Sequence, residues 1–332
     1  VVADIPELEW LWKGWIPRGL VSLLAAVSGT GKSYLSLELS RRVICGSTFP
    51  DGSQVLKQGP VIYVDAENTP RIFKKRVSVW DADTLDHIYL MLPDKERMVI
   101  NLDDTHDKEI LWDMCWSIKP TLVVLDSYGS ATLKGENNKE DVQMLLSYLN
   151  RLAQDFDTAV LIVHHLRKRS SQQLSFMPMT IDSIRGSTHI PAMARNVLGL
   201  QWVPTSDTLD QNGPRQLWVM KSNLGPHPEP IGVYFEPHPA NPDVAIIKYG
   251  DAPQPYKEPT KTDYCSEWLE DVLRTAEEPL KPKDIVDMGK EEGYSRRTIY
   301  RARKQMHQIH DTDNQRNPEN CWVWVEDEEE EE

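Results

Sequence analysis

The sequence predicts an α/β fold, with a mostly parallel central sheet, an antiparallel extension and a small helical module after it. Three observations predict this. Short apolar runs alternate with amphipathic stretches from Val21 to Tyr249. The first five runs, residues 21–26, 61–64, 88–92, 122–125 and 159–163, are nearly all apolar, as strands buried on both faces of a parallel sheet are. Nine of the 23 prolines then fall between Pro226 and Pro259, ahead of an α-rich stretch.

Each element has its own signal. Residues 32–44 read as a helix, and so do 139–155, where Val142, Leu145, Leu146, Leu149 and Leu152 share a face. The runs 197–202, 217–221, 231–235 and 244–249 follow one another with no room for helices, so all four are predicted to form the antiparallel extension. Residues 251–262, with Pro253, Pro255 and Pro259, read as an extended linker. The predicted organisation is a core over 1–250, the linker, a compact module over 263–325 and an acidic tail over 326–332.

The chain has 332 residues, 40% of them apolar and 27% charged, enough to build two domains with proper cores. The net charge of −14 argues against a positive field over the whole molecule. Half of that charge is the terminal run 326–332, and without it the balance is −7. Arg296, Arg297, Arg301, Arg303 and Lys304 meanwhile lie in a segment without acids. Cys45, Cys115, Cys265 and Cys321 are scattered, which fits no disulfide framework or zinc site and suits a reducing, cytoplasmic setting. No apolar run approaches the ~18 residues of a membrane span. The chain opens Val1-Val2 with no signal peptide, so a natural start upstream of Val1 is expected.

The chemistry concentrates where strands end. Ala26-Val27-Ser28-Gly29-Thr30-Gly31-Lys32-Ser33 joins a predicted strand to a helix and reads as a P-loop with Ala at its first glycine position. In such a loop Ser28, Gly29, Thr30 and Gly31 turn backbone N–H groups around the phosphates of ATP, and the helix N-terminus adds its positive end. Lys32 reaches the β- and γ-phosphates, and Ser33 offers its hydroxyl to Mg²⁺. The run Leu122-Val123-Val124-Leu125-Asp126 is a buried strand ending in an acid, which suits Asp126 to the Mg²⁺ shell. Asp126 is followed by Ser127 rather than Glu, so the group that activates water must come from elsewhere. Glu67, just past the second strand in Asp65-Ala66-Glu67, is the candidate, with Asp65 a weaker rival. His164 and His165 end a further core strand at the same edge, and His165 is preferred as a sensor of the γ-phosphate.

In this order, the P-loop, Asp65-Ala66-Glu67, Asp126, His164-His165-Leu166-Arg167-Lys168 and Arg185-Gly186-Ser187 resemble the RecA-like ATPase superfamily. Within it they are most similar to the hexameric RepA-type plasmid replicative helicases, over about residues 8–250. The segment Trp10-Leu11-Trp12 to Ile16-Pro17-Arg18-Gly19-Leu20 also resembles that family's entry to the first strand. The resemblance implies phosphate and Mg²⁺ roles for Lys32, Ser33 and Asp126, Glu67 as catalytic base, His165 as sensor and Arg185 as an arginine finger acting on a neighbouring subunit of a ring. Met220-Lys221-Ser222-Asn223 resembles the Lys-x-Arg finger of DnaB-like helicases, with Asn223 in place of Arg, which leaves Lys221 as the remaining half. The long polar loop 168–188 takes the place of a DNA-contacting channel loop, and Arg167, Lys168 and Arg169 give it charge for phosphates.

After the linker, residues 264–275 and 283–292 read as helices, and Gly293-Tyr294 as a turn. Ser295 then caps a third helix, 296–307, and residues 309–311 and 321–325 form a hairpin. That order predicts a winged helix-turn-helix whose third helix presents Arg296, Arg297, Tyr300, Arg301, Arg303 and Lys304 to duplex DNA. The acidic tail could compete with DNA for this helix. Three functions fit the whole sequence: an ATP-driven DNA helicase or translocase of a plasmid, phage or integrated element; a RecA-like ATPase that loads or regulates partners at DNA without unwinding; and a DNA-binding protein with a nucleotide switch.

Overall fold

The computed structural model describes residues 7–67, 70–93, 98–167, 178–206, 210, 212–256, 259–315 and 317–326. Two compact units are present, Val1–Tyr256 and Lys257–Glu332.

In the first unit a hairpin, β1 (Trp10–Trp12) and β2 (Ile16–Pro17), precedes β3 (Val21–Ala26) and α1 (Lys32–Cys45). There follow β4 (Val61–Asp65), α2 (Pro70–Val77), α3 (Ala82–Leu85), β5 (Ile88–Met91), α4 (Thr105–Ile118), β6 (Leu122–Asp126), α5 (Lys139–Asp155) and β7 (Ala159–His165). The unit ends with α6 (His189–Met193), β8 (Asn196–Trp202), β9 (Arg215–Ser222), β10 (Ile231–His238) and β11 (Asn241–Asp251). Nine strands form one sheet in the order β11-β10-β9-β8-β3-β7-β6-β4-β5.

Six of these strands are parallel neighbours, from β8 through β3, β7, β6 and β4 to β5. The antiparallel extension comprises β9, β10 and β11. Here the strand predicted at 197–202 differs from expectation, because β8 pairs parallel to β3, with Leu23 opposite Val197. The turn of helix in α6, which the apolar runs do not announce, returns the chain to the end of the sheet where β3 begins.

The central strands read as continuous apolar runs because both sheet faces are covered. Val21, Leu23 and Ala25 of β3 join one core with Leu145, Leu149 and Leu152 of α5, while Leu24 and Ala26 join the other with Leu35, Leu39 and Val43 of α1. Trp12 stacks between Trp15 and Phe49 at 4.5 and 5.0 Å, which pins the entry hairpin to the α1 side.

The second unit packs α7 (Lys261–Thr275), α8 (Pro282–Glu291) and α9 (Arg296–Gln305) around Cys265, Leu269, Ile285, Ile299 and Trp322, with a hairpin of β12 (Ile309–Asp311) and β13 (Trp322–Trp324). Thr260 and Asp263 cap α7 reciprocally, and the Ser295 hydroxyl accepts from Thr298 N at 3.1 Å to start α9. No helix among the described residues is long and apolar enough to cross a membrane.

Candidate nucleotide site

The parallel strands β3, β4, β6 and β7 deliver Lys32, Glu67, Asp126 and His165 to one sheet edge, their carboxyl ends, where ligands of open α/β sheets bind. Gly31 is the N-cap of α1 with φ 103°, and a Cβ there would stand 2.4 Å from Phe235 Cζ. Only glycine meets both demands, so the loop can run close under the ring. Thr30 is buried, and its hydroxyl donates to Val27 O at 2.8 Å, closing the loop on itself.

Lys32 is the buried cation of the site. Its ammonium donates to Ala26 O at 3.2 Å and to Val27 O at 3.1 Å, and lies 3.4 Å from His165 Nδ1. Burial lowers its pKa to about 8, against the opposing pull of Asp126 and then Glu67. Asp126 and Asp65 are register partners at the ends of β6 and β4. The Tyr63 hydroxyl donates to Asp126 Oδ2 at 2.6 Å. Glu67 is exposed beyond β4, and its pKa is raised by partial burial, then by Asp126 and Asp65.

Ser33 and Asp126 are hard oxygen donors beside the phosphate loop. Mg²⁺ is usually held by one or two such protein groups together with substrate phosphates, so this pair fits the ion. Among the described residues no group of three or more His, Cys, Asp or Glu forms a metal cluster.

The two histidines separate by environment. His164 is fully buried, donates from Nε2 to Arg185 O at 2.8 Å, and has its pKa lowered to about 4, chiefly by burial. His165 is half-buried and opens, with Ser28, Leu166, Arg167 and Arg185, on a cavity of about 520 Å³. Its pKa is also lowered to about 4, by burial and then by Lys32.

Arg185 is 63% exposed, with Nε 3.6 Å from Glu136 Oε1. Lys221 is engaged differently, its ammonium donating to Pro191 O, Ala192 O and Ala194 O at 2.7, 3.3 and 3.0 Å. It therefore satisfies the end of α6 within its own chain. Arg167 is exposed, and Lys168 and Arg169 lie outside the described residues. On α9, Arg296, Arg297, Arg301 and Lys304 are exposed. Arg303 departs from that set, since it pairs with Asp311 and lies over the Trp322 ring at 5.4 Å.

Sequence reasoning misses several neighbours of the site. Glu136 is nearly buried beside both His164 and Arg185. Trp202 and Phe235 flank the glycines of the loop, and Arg215 lies over the Phe235 ring at 4.6 Å. These residues come from distant strands, and only the sheet order beside β3 reveals them. Tyr63, a hydroxyl inside an otherwise apolar run, is the one such residue that a pattern could have exposed.

A glycine-lined phosphate loop, a strand-end aspartate and a parallel sheet with an antiparallel extension define a P-loop nucleotide-binding protein with a RecA-like fold. Residues 1–171 match the family model described as an AAA domain. The chain belongs to that AAA domain family. Its fold is similar to that of a KaiC-like protein from the hyperthermophilic archaeon Pyrococcus horikoshii, at 16% identity and TM-score 0.50, covering 73% of this chain and 100% of that one. A RadB recombinase structure is matched at 16% identity and TM-score 0.43, over 66% of this chain and 88% of that one. No curated protein matches the sequence.

Proposed function

We propose that this chain is an ATP-hydrolysing DNA helicase or translocase of the RepA type, working as a hexameric ring in the manner of that family, in the replication of a plasmid, phage or integrated element. The observation that carries the reading is the meeting of Lys32, Asp126, Glu67 and His165 at one sheet edge, with Arg185 exposed beside them. In this reading the loop amides and Lys32 hold the phosphates of ATP. Ser33 and Asp126 hold Mg²⁺, which when bound neutralises charge developing on the phosphates. Glu67, its proton affinity raised by partial burial and then by Asp126 and Asp65, orients and deprotonates the attacking water. His165 senses the γ-phosphate, and Arg185 adds positive charge to a neighbouring subunit's site. Arg167 with Lys168 and Arg169 contacts single-stranded DNA in the channel, and the winged-helix-like module meets duplex DNA through Arg296, Arg297, Arg301 and Lys304.

A second reading is a non-unwinding ATPase that loads or regulates partners at DNA. It is favoured by Lys221, whose ammonium is engaged by three carbonyls of its own chain, and by Asn223 where a finger arginine would stand. A forked-duplex strand-displacement assay decides between them. Displacement that requires ATP supports the motor, and DNA-stimulated hydrolysis without displacement supports the loader.

A further inference from the structure

Tyr63 is the polar exception in the apolar strand β4. Its side chain is 2% exposed, and the ring is held edge-on to Phe73 at 5.3 Å. The hydroxyl donates its single proton to Asp126 Oδ2 at 2.6 Å. On its other side it meets Ser36 Oγ at 2.9 Å, and with its own proton committed to Asp126 it is the acceptor there. Ser36 stands one turn along α1 from Ser33, and its hydroxyl is 3.1 Å from Ser33 O. One relay thus ties the helix that carries Ser33 to the strand that carries Asp126.

We infer that Tyr63 is a positioning residue for the metal-binding carboxylate, fixing one oxygen of Asp126 and the carboxylate plane so that the other oxygen is presented to Mg²⁺. The inference rests on the nucleotide-site reading above. Its physical basis is that a carboxylate with one oxygen tied loses rotational freedom and presents a single orientation. Partners of this kind, one step removed from a metal, typically change affinity about 10- to 100-fold when removed. Tyr63→Phe keeps the ring and its packing and removes only the hydroxyl, with its bonds to Asp126 and Ser36.

The test titrates full-length protein with a fluorescent ATP analogue, with and without Mg²⁺, and follows Mn²⁺ uptake in the presence of ADP by electron paramagnetic resonance. Tyr63→Phe is expected to bind nucleotide without Mg²⁺ within about twofold of the parent, and to need about 10-fold more Mg²⁺ or Mn²⁺ for half-saturation. Ser36→Ala, which perturbs only the far end of the relay, is expected to shift metal demand in the same direction by less, and it serves if Tyr63→Phe fails to fold. Unchanged metal demand in the folded variant, beside a large shift in Asp126→Asn, overturns the positioning role alone. Unchanged demand in Asp126→Asn as well overturns the metal site with it.

Discussion

Lys32 Nζ stands 3.4 Å from His165 Nδ1, so the cation of the phosphate loop and the side chain ending β7 share a contact. Lys32 donates, which makes Nδ1 the acceptor and places the neutral ring's proton on Nε2. Phosphate oxygens entering the loop compete with His165 for the same ammonium. If His165 is the proposed sensor, this shared ammonium is what would couple it to occupancy.

The depressed pKa of Lys32, about 8, makes that coupling measurable. Phosphates raise the pKa of a bound ammonium, so nucleotide binding takes up protons where free Lys32 is partly neutral. At pH 8.5 roughly half a proton or more is expected per nucleotide, and almost none at pH 6.5. Calorimetry in two buffers of different ionisation enthalpy reads it, and equal heats at pH 8.5 would remove Lys32 as the group. The same shift sets a stability trend. The unfolded chain, with Lys32 near 10.5, holds more protons than the folded one between pH 8 and 10.5, so this group's contribution to stability rises with pH across that window. The rise amounts to about 3 kcal/mol, and Lys32→Met should flatten it.

Glu67→Gln keeps shape and removes the carboxylate proposed as the base. Turnover is expected to fall about 10²- to 10⁴-fold while nucleotide affinity stays within a few-fold. Because the Glu67 pKa is raised, activity of the parent should decline on the acid side above the ordinary carboxylate range, as the base becomes protonated. Single-turnover hydrolysis against pH checks both, and undiminished turnover in the variant would discard Glu67.

The central sheet was legible because strands covered on both faces cannot alternate, and Val21–Ala26, Leu122–Asp126 and Ala159–His165 do not. The P-loop was legible because its glycines and Lys-Ser are a local pattern. The parallel entry of β8 was not, since it depends on α6, five residues whose burial rests on Ile190 and Pro191 alone. Glu136 was not legible either. A lone acid in a polar loop carries no pattern, and its place beside Arg185 and His164 arises from long-range closure.

Two cations proposed to act across a subunit boundary are bound to their own chain in different ways, and this separates their variants. Arg185 is held by one carboxylate at 3.6 Å and is mostly exposed, so Arg185→Ala should leave the melting temperature almost unchanged. If Arg185 acts in trans, mixing Arg185→Ala with Lys32→Ala subunits restores part of the lost activity. Failure to recover any would remove the trans role. Lys221 satisfies three carbonyls, so Lys221→Ala should cost about 1 kcal/mol or more of stability. A melting temperature equal to the parent's, with turnover lost, would instead favour Lys221 as a finger.

Within α9 the arginines divide by partner. Arg296, Arg297 and Arg301 are exposed, whereas Arg303 pairs with Asp311 and lies over Trp322. If the module binds duplex DNA through phosphate contacts, replacing Arg296, Arg297 or Arg301 by Ala weakens binding of the full-length protein across all sequences. Each replacement also flattens the slope of log affinity against log salt by about 1. Arg303→Ala should act on the fold instead, because it leaves Asp311 without its cation and strips the face of Trp322, lowering thermal stability. Fluorescence anisotropy over a salt series, beside thermal melts, reads both effects. Equal salt slopes in parent and Arg301→Ala would take that residue out of the DNA contact, and an unchanged melt for Arg303→Ala would deny it the structural role.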